Sequence, residues 1–173
     1  MDNESLFFLI FNLNDEFPVL DNLMIFGATY LIYLTFIFIS FLGFKGGIRE
    51  KKAFLLIFLG LPIAVLLIKG IHLFFYEPRP FVTFHFSPIV GETADASFPS
   101  RHATISAVFA FAFTYFKSKW VLLLLPVMAW IGLSRVFVGV HYPLDILGGF
   151  AVGAISIFIA LKIKDLLKIY LLR

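Results

Sequence analysis

Residues 53–75 read AFLLIFLGLPIAVLLIKGIHLFF, an apolar run interrupted only near its end by Lys69 and His72. A bilayer core of roughly 30 Å needs about 20 such residues in a helix rising about 1.5 Å each, so this run is long enough to cross. Four more apolar runs flank it, from Asn22 to Phe44, Ala103 to Phe116, Trp120 to Val138 and Pro143 to Ile163. The run from Ala103 is short for a crossing. Ahead of them Ser5 to Leu13 alternates apolar and polar residues, is too short to span, and reads as an interfacial helix. The pattern predicts an all-α, polytopic membrane helix bundle of five transmembrane helices plus this N-terminal helix. It forms a single domain over residues 1–173, with no linker or repeat.

Composition agrees. The chain is 61% hydrophobic and 14% charged, with a mean hydropathy of +0.98, whereas soluble domains carry roughly a quarter charged residues. The excess apolar surface needs the lipid bilayer as a partner. With no Cys, disulfides, cysteine-based zinc sites and a thiol nucleophile are excluded. No basic patch suits nucleic acid. The acidic start MDNES is the reverse of the basic start of a cleavable signal peptide, so none is expected.

Charge distribution gives an orientation. Lys45, Arg49, Lys51 and Lys52 lie between the first two runs, Lys117 and Lys119 between the third and fourth, and Lys162, Lys164, Lys168 and Arg173 at the C-terminal end. All ten fall on one side of a five-span bundle. The first segment carries Asp2, Glu4, Asp15, Glu16 and Asp21 without Lys or Arg. The positive-inside rule then puts the N-terminus outside and the C-terminus in the cytoplasm. Lys69, Arg79, Arg101 and Arg135 fall toward the outer face, where the rule does not put them, so another demand keeps them there.

That face gathers Glu77-Pro78-Arg79-Pro80, Phe98-Pro99-Ser100-Arg101-His102, Ser134-Arg135 and His141-Tyr142-Pro143-Leu144-Asp145. Two histidines and an aspartate can suggest a metal, but three guanidinium groups would repel a divalent cation. They suit phosphate, which arginine forks grip through charge-assisted hydrogen bonds. Ser100 sits where a helix N-cap is expected, and the free amides beyond it suit an anion. His141 and Asp145 are one helical turn apart. The carboxylate can therefore accept from one imidazole nitrogen and leave the other free to attack. His102 is a candidate to protonate the leaving oxygen.

Pro99-Ser100-Arg101-His102 and Ser134-Arg135 through His141 to Asp145 resemble two blocks of the type 2 phosphatidic acid phosphatase (PAP2) superfamily, P-S-x-H and S-R-x5-H-x3-D. The resemblance runs from about Ala53 to the C-terminus. It implies that His141 is the nucleophile forming a phosphohistidine, that Asp145 orients it and that His102 is the general acid. Arg79, Arg135 and Ser100 would bind phosphate, with no metal or other cofactor. The first family block, K-x6-R-P, is altered: its lysine position is His72, and Lys69 lies one turn deeper on the same helical face, from where it can snorkel. The usual small glycine between Ser and His is Arg101, a candidate contact for a second phosphate or an acidic headgroup.

The segments Phe75 to Phe81 and Ala94 to Ser100 look most like the undecaprenyl-diphosphate phosphatase branch, with bacterial lipid A 1-phosphatases similar. The implied substrate is a membrane lipid phosphate (undecaprenyl diphosphate, the 1-phosphate of lipid A or phosphatidylglycerol phosphate), met at the outer face of the bacterial cytoplasmic membrane. Plainer readings stand beside these. An arginine at a helix end can anchor a headgroup, His72 can serve helix packing, Asp95 can order its loop, and Glu77 can pair with a nearby cation. Gly149 and Gly153 form a G-x-x-x-G that permits close helix packing. A headgroup transporter or flippase could use the same basic cluster, although nearly all of the charge sits at one end. A vanadate-dependent haloperoxidase has a similar site, but five spans argue against that soluble class. Sequence does not disclose the oligomeric state.

Overall fold

The structure is a computed structural model that describes residues 2–167, and these contain eight helices and no strand. Lys168 and Arg173 of the C-terminal basic group lie outside the described residues. The helices are α1 (Asn3–Phe11), α2 (Pro18–Thr29), α3 (Leu31–Lys45), α4 (Ile48–Phe74), α5 (Pro80–Thr83), α6 (Arg101–Tyr115), α7 (Val121–Phe137) and α8 (Pro143–Leu166).

The expected span over Asn22 to Phe44 is not one straight helix. It is the pair α2 and α3, bent by 56° at Tyr30. At the bend Arg135 Nη1 donates to the Ala28 carbonyl at 3.2 Å, and a side chain entering a helix's hydrogen-bond ladder is a known cause of kinking. Two helices, α4 and α8, are individually long and apolar enough to cross a membrane, and the bent pair makes up to three such spans among the described residues. The chain is a membrane protein by these helices, but α7 is shorter and α6 is only 15 residues long.

The modest apolarity of α6 has a physical reason. It is the centre of the bundle, packed against α4, α7 and α8, so protein rather than lipid surrounds it. Its hydroxyl groups bond to its own carbonyls, as Thr104 does to Ser100 at 2.9 Å and Ser106 to Ala103 at 2.9 Å. The lipid-type surface lies elsewhere: Phe74 is 92% exposed and Leu122 84%, exposure that in water would make a large apolar patch.

The basic ends converge as the charge pattern requires. Arg49 donates to the Lys117 carbonyl at 3.0 Å, Ser118 bonds Glu50 at 2.5 Å, and the Lys164 ammonium lies 5.6 Å from the Tyr115 ring centre. At the other end α1 does more than rest on a surface. Its Phe7 is fully buried, near Phe84 and Tyr142, and Asn3 accepts a hydrogen bond from the Leu144 amide at 3.1 Å.

The most extensive helix contact is α6 against α8. A Cβ at Gly149 would lie 2.8 Å from the Ser100 carbonyl oxygen, and one at Gly153 2.8 Å from that of Thr104. Backbone cannot yield as a flexible side chain does, so Gly153→Leu is expected to lower stability by about 1–3 kcal/mol or more through overpacking. Gly70, whose added Cβ would meet nothing within 4 Å, is the contrast: Gly70→Ala should leave the Tm in detergent unchanged or raised. Equal losses in the two variants would contradict the packing account.

Candidate active site

Three loops meet at the end of the bundle away from the basic turns. The first, after α4, delivers Arg79 as the residue before α5, where Pro80 occupies the first helical turn. The second, between α5 and α6, carries Glu92, Asp95 and Ser97 and ends at Ser100, whose side chain caps α6. The third joins α7 to α8 and holds His141. There Pro143 opens the helix, and the Asp145 carboxylate turns back to accept from the Tyr142 amide at 2.7 Å. Ser100 N–H donates to the Asp145 carbonyl at 3.0 Å, tying the starts of α6 and α8 together.

His141 is buried between two kinds of partner. Its Nδ1 lies 3.3 Å from Asp145 Oδ2 and its Nε2 3.2 Å from Arg79 Nη1. Ser97 Oγ donates to the same Asp145 oxygen at 2.5 Å and sits 3.4 Å from His141 Nδ1. The carboxylate thus takes three neighbours on one oxygen, while Asp145 Oδ1 is buried with no hydrogen-bond partner. Burial first, and then the positive charges of Arg79 and Arg135, hold the His141 ring well below the usual histidine range. It is therefore a neutral imidazole at neutral pH, with its Nδ1–H facing the carboxylate and its Nε2 carrying the lone pair.

The arginines converge on two carboxylates. Glu92 touches all three, with Oε2 on Arg135, Oε2 3.8 Å from Arg79 and Oε1 3.8 Å from Arg101. Asp95 bridges Arg79 at 2.7 Å and Arg101 at 2.8 Å. Burial pushes both carboxyls up. For Glu92 the charges of Arg135 and Arg79 outweigh this, and for Asp95 the bond and charge of Arg79 together with Arg101 do, so both lie below their usual range. Glu77 pairs with no cation among the described residues. Burial, with the charge of Asp145, raises its carboxyl, and its backbone carbonyl accepts from the Ser97 amide at 2.8 Å.

Sequence reasoning brought Arg79, Arg101, Arg135, His141 and Asp145 to one face, and they make one network. Ser100 and His102 adjoin it at the start of α6. Lys69 and His72 stand apart: they line a groove between α4 and α6 together with Arg101, and make no hydrogen bond or ion pair with the arginine cluster among the described residues. Glu92 and Ser97 were not foreseen. Nothing local in the sequence marks Glu92, but Ser97 lies inside the Ala94-to-Ser100 segment that carries the family resemblance and could have been found there. No group of three or more His, Asp or Glu among the described residues is arranged to hold a metal ion.

Residues 53–168 match the PAP2 superfamily. The chain belongs to that superfamily. It is also 34% identical to an undecaprenyl-diphosphatase of Bacillus subtilis over 96% of this chain and 86% of that one. Over 41% of its length, 29% of the relative's, it is 39% identical to a lipid A 1-phosphatase of Rhizobium johnstonii. The crystal structure of Aquifex aeolicus LpxE superposes with a TM-score of 0.75 at 26% identity, covering 92% of this chain and 94% of that one. The activity class of this PAP2 protein is that of a phosphatase.

The neutral His141 has a direct readout. Imidazole nitrogen resonances of the detergent-solubilised protein, assigned with His141→Gln, should keep the neutral-ring signature as the pH falls through 6.5. The sign is fixed by the depressed value: protonation begins only below the ordinary range. Titration at or above 6.5 would contradict it.

Proposed function

We propose that this PAP2 protein releases the terminal phosphate of an anionic membrane lipid through a phosphohistidine at His141. The observation that carries the reading is the division of the imidazole, with Nδ1 toward Asp145 and Nε2 toward the guanidinium of Arg79. A phosphoryl group gripped by Arg79 and Arg135 would meet the Nε2 lone pair. Arg135 Nε, buried and without a partner, offers it a further donor. Ser100, at the cap of α6, lends the group the positive end of that helix.

The chemistry balances in two steps. His141 Nε2 bonds to phosphorus as the bond to the bridging oxygen breaks, and His102, which takes up a proton as the anionic phosphate settles beside it, gives that proton to the leaving oxygen. His102 then takes a proton from water, whose oxygen attacks phosphorus. The nitrogen–phosphorus bond breaks, and inorganic phosphate leaves. Asp145 holds the ring and offsets the charge it gains, while Arg79 and Arg135 stabilise the equatorial oxygens. Phosphate binding must draw donors away from Glu92, which shares all three arginines. Glu92→Gln is expected to tighten inhibition by vanadate several-fold to about tenfold, the scale of one charge-assisted bond. Weaker inhibition would contradict the competition.

Undecaprenyl diphosphate is the preferred substrate on the strength of the Bacillus relative, which is alike over nearly its whole length. The lipid A 1-phosphatase likeness favours a second reading with the same chemistry. The arrangement proposed is a single domain of five spans, with α6 and α7 as the short third and fourth and α1 at the interface. The N-terminus and site lie outside and the C-terminus in the cytoplasm, as the basic turns favour. Purified protein in detergent with EDTA should release phosphate from undecaprenyl diphosphate faster than from lipid A. His141→Ala should keep less than about a thousandth of that rate. Full activity in that variant would overturn the mechanism, and a faster rate on lipid A would reverse the substrate order.

A further inference from the structure

A diphosphatase faces a problem of product, because its lipid product is itself a phosphate ester. Some feature must favour a lipid with two phosphates over one with a single phosphate. Beside the arginine cluster, between α4 and α6, lies a groove of about 330 Å³. Its floor and walls are aliphatic, from Ala64, Val65, Ile68 and Ile105, and its polar lining is Lys69, His72 and Arg101. Lys69 and His72 are three residues apart on α4 and so share a face. His72 Nε2 is buried there with no hydrogen-bond partner. No carboxylate lines the groove, so its polar lining carries only positive charge and a histidine.

Arg101 belongs to both places. It lines the groove, and its guanidinium lies 2.8 Å from Asp95 and 3.8 Å from Glu92, the two carboxylates that hold Arg79 and Arg135. On the phosphatase reading His102 protonates the leaving oxygen, which puts the leaving group near the start of α6, the helix that Arg101 opens. We infer that Lys69, His72 and Arg101 form a second anion subsite. It takes the inner, lipid-linked phosphate of a diphosphate lipid while the outer phosphate meets His141, and the first carbons of the chain run along the aliphatic groove. Arg101 is then the specificity-determining residue. It holds the phosphate that departs with the lipid, and a monophosphate lipid occupying the outer site leaves it without a ligand.

This subsite rests on the phosphatase reading, and its test separates the two. The full chain in detergent would be assayed on a prenyl diphosphate and on the prenyl monophosphate of the same chain length. Arg101, 48% exposed, can be replaced without opening the core. Arg101→Ala should lower the ratio of kcat/KM, diphosphate over monophosphate, about tenfold or more and mainly through KM, with partial recovery in Arg101→Lys. Lys69→Met, also at an exposed position, should lower the same ratio and decides the matter if Arg101→Ala fails to fold. An unchanged ratio, or equal losses on both lipids, overturns the subsite while leaving the phosphatase standing. A wild type that releases phosphate from neither lipid, nor from lipid A, overturns the phosphatase reading and the subsite with it.

Discussion

The close contact between α6 and α8 is the constraint on which the rest depends. Ser100 and His102 belong to the start of one helix, and His141 and Asp145 to the start of the other, so the two halves of the site meet only if those starts meet. Gly149 and Gly153 let the backbones approach to where any Cβ would collide with a carbonyl. The Ser100 amide then reaches the Asp145 carbonyl at 3.0 Å. In a bilayer, where apolar side chains gain little by leaving lipid, such small-residue contacts are a main source of helix association. The same glycines that hold the bundle together therefore set the spacing of the site.

The second constraint is charge. Arg79 and Arg135 are almost wholly buried, and a buried cation without a partner costs several kcal/mol. Glu92 and Asp95 meet that demand from a single loop. The effect on chemistry is twofold: the carboxylates keep the guanidinium groups in place, and they compete for the donors that a phosphate needs. An anion with several oxygens can replace Glu92 with little further desolvation of Arg79 and Arg135, which are already out of water. A divalent metal would meet three guanidinium groups instead.

Much of this was legible in the sequence because the decisive patterns are local. Apolar runs mark α4 and α8, and basic turns mark the opposite end. The four-residue spacing of His141 and Asp145 does bring them together, though not through a helical turn: His141 precedes the extended cap residue Tyr142, and Asp145 reaches back to it from the first turn of α8. The G-x-x-x-G of α8 reads as close packing, which is what it does. The bend at Tyr30 was not legible, because it is associated with a contact from Arg135, over a hundred residues away. Composition also misleads on α6, whose alanines and hydroxyls are explained by a protein environment that hydropathy does not describe. Glu92 escaped for a similar reason: its three partners come from three segments, and no spacing along the chain announces them. Lys69 and His72 fell on the expected helix face, yet that face opens onto the groove rather than onto His141.

The central claim is that phosphate passes through a bond to His141 Nε2. The most direct measurement is rapid quenching of the working enzyme under alkaline conditions, where phosphoramidates survive, followed by peptide mass spectrometry. The account predicts a transient phosphoryl group on the peptide containing His141, lost on brief acid treatment and never formed in His141→Gln. Rapid turnover with no such adduct, or with the phosphoryl group on another residue, would contradict it.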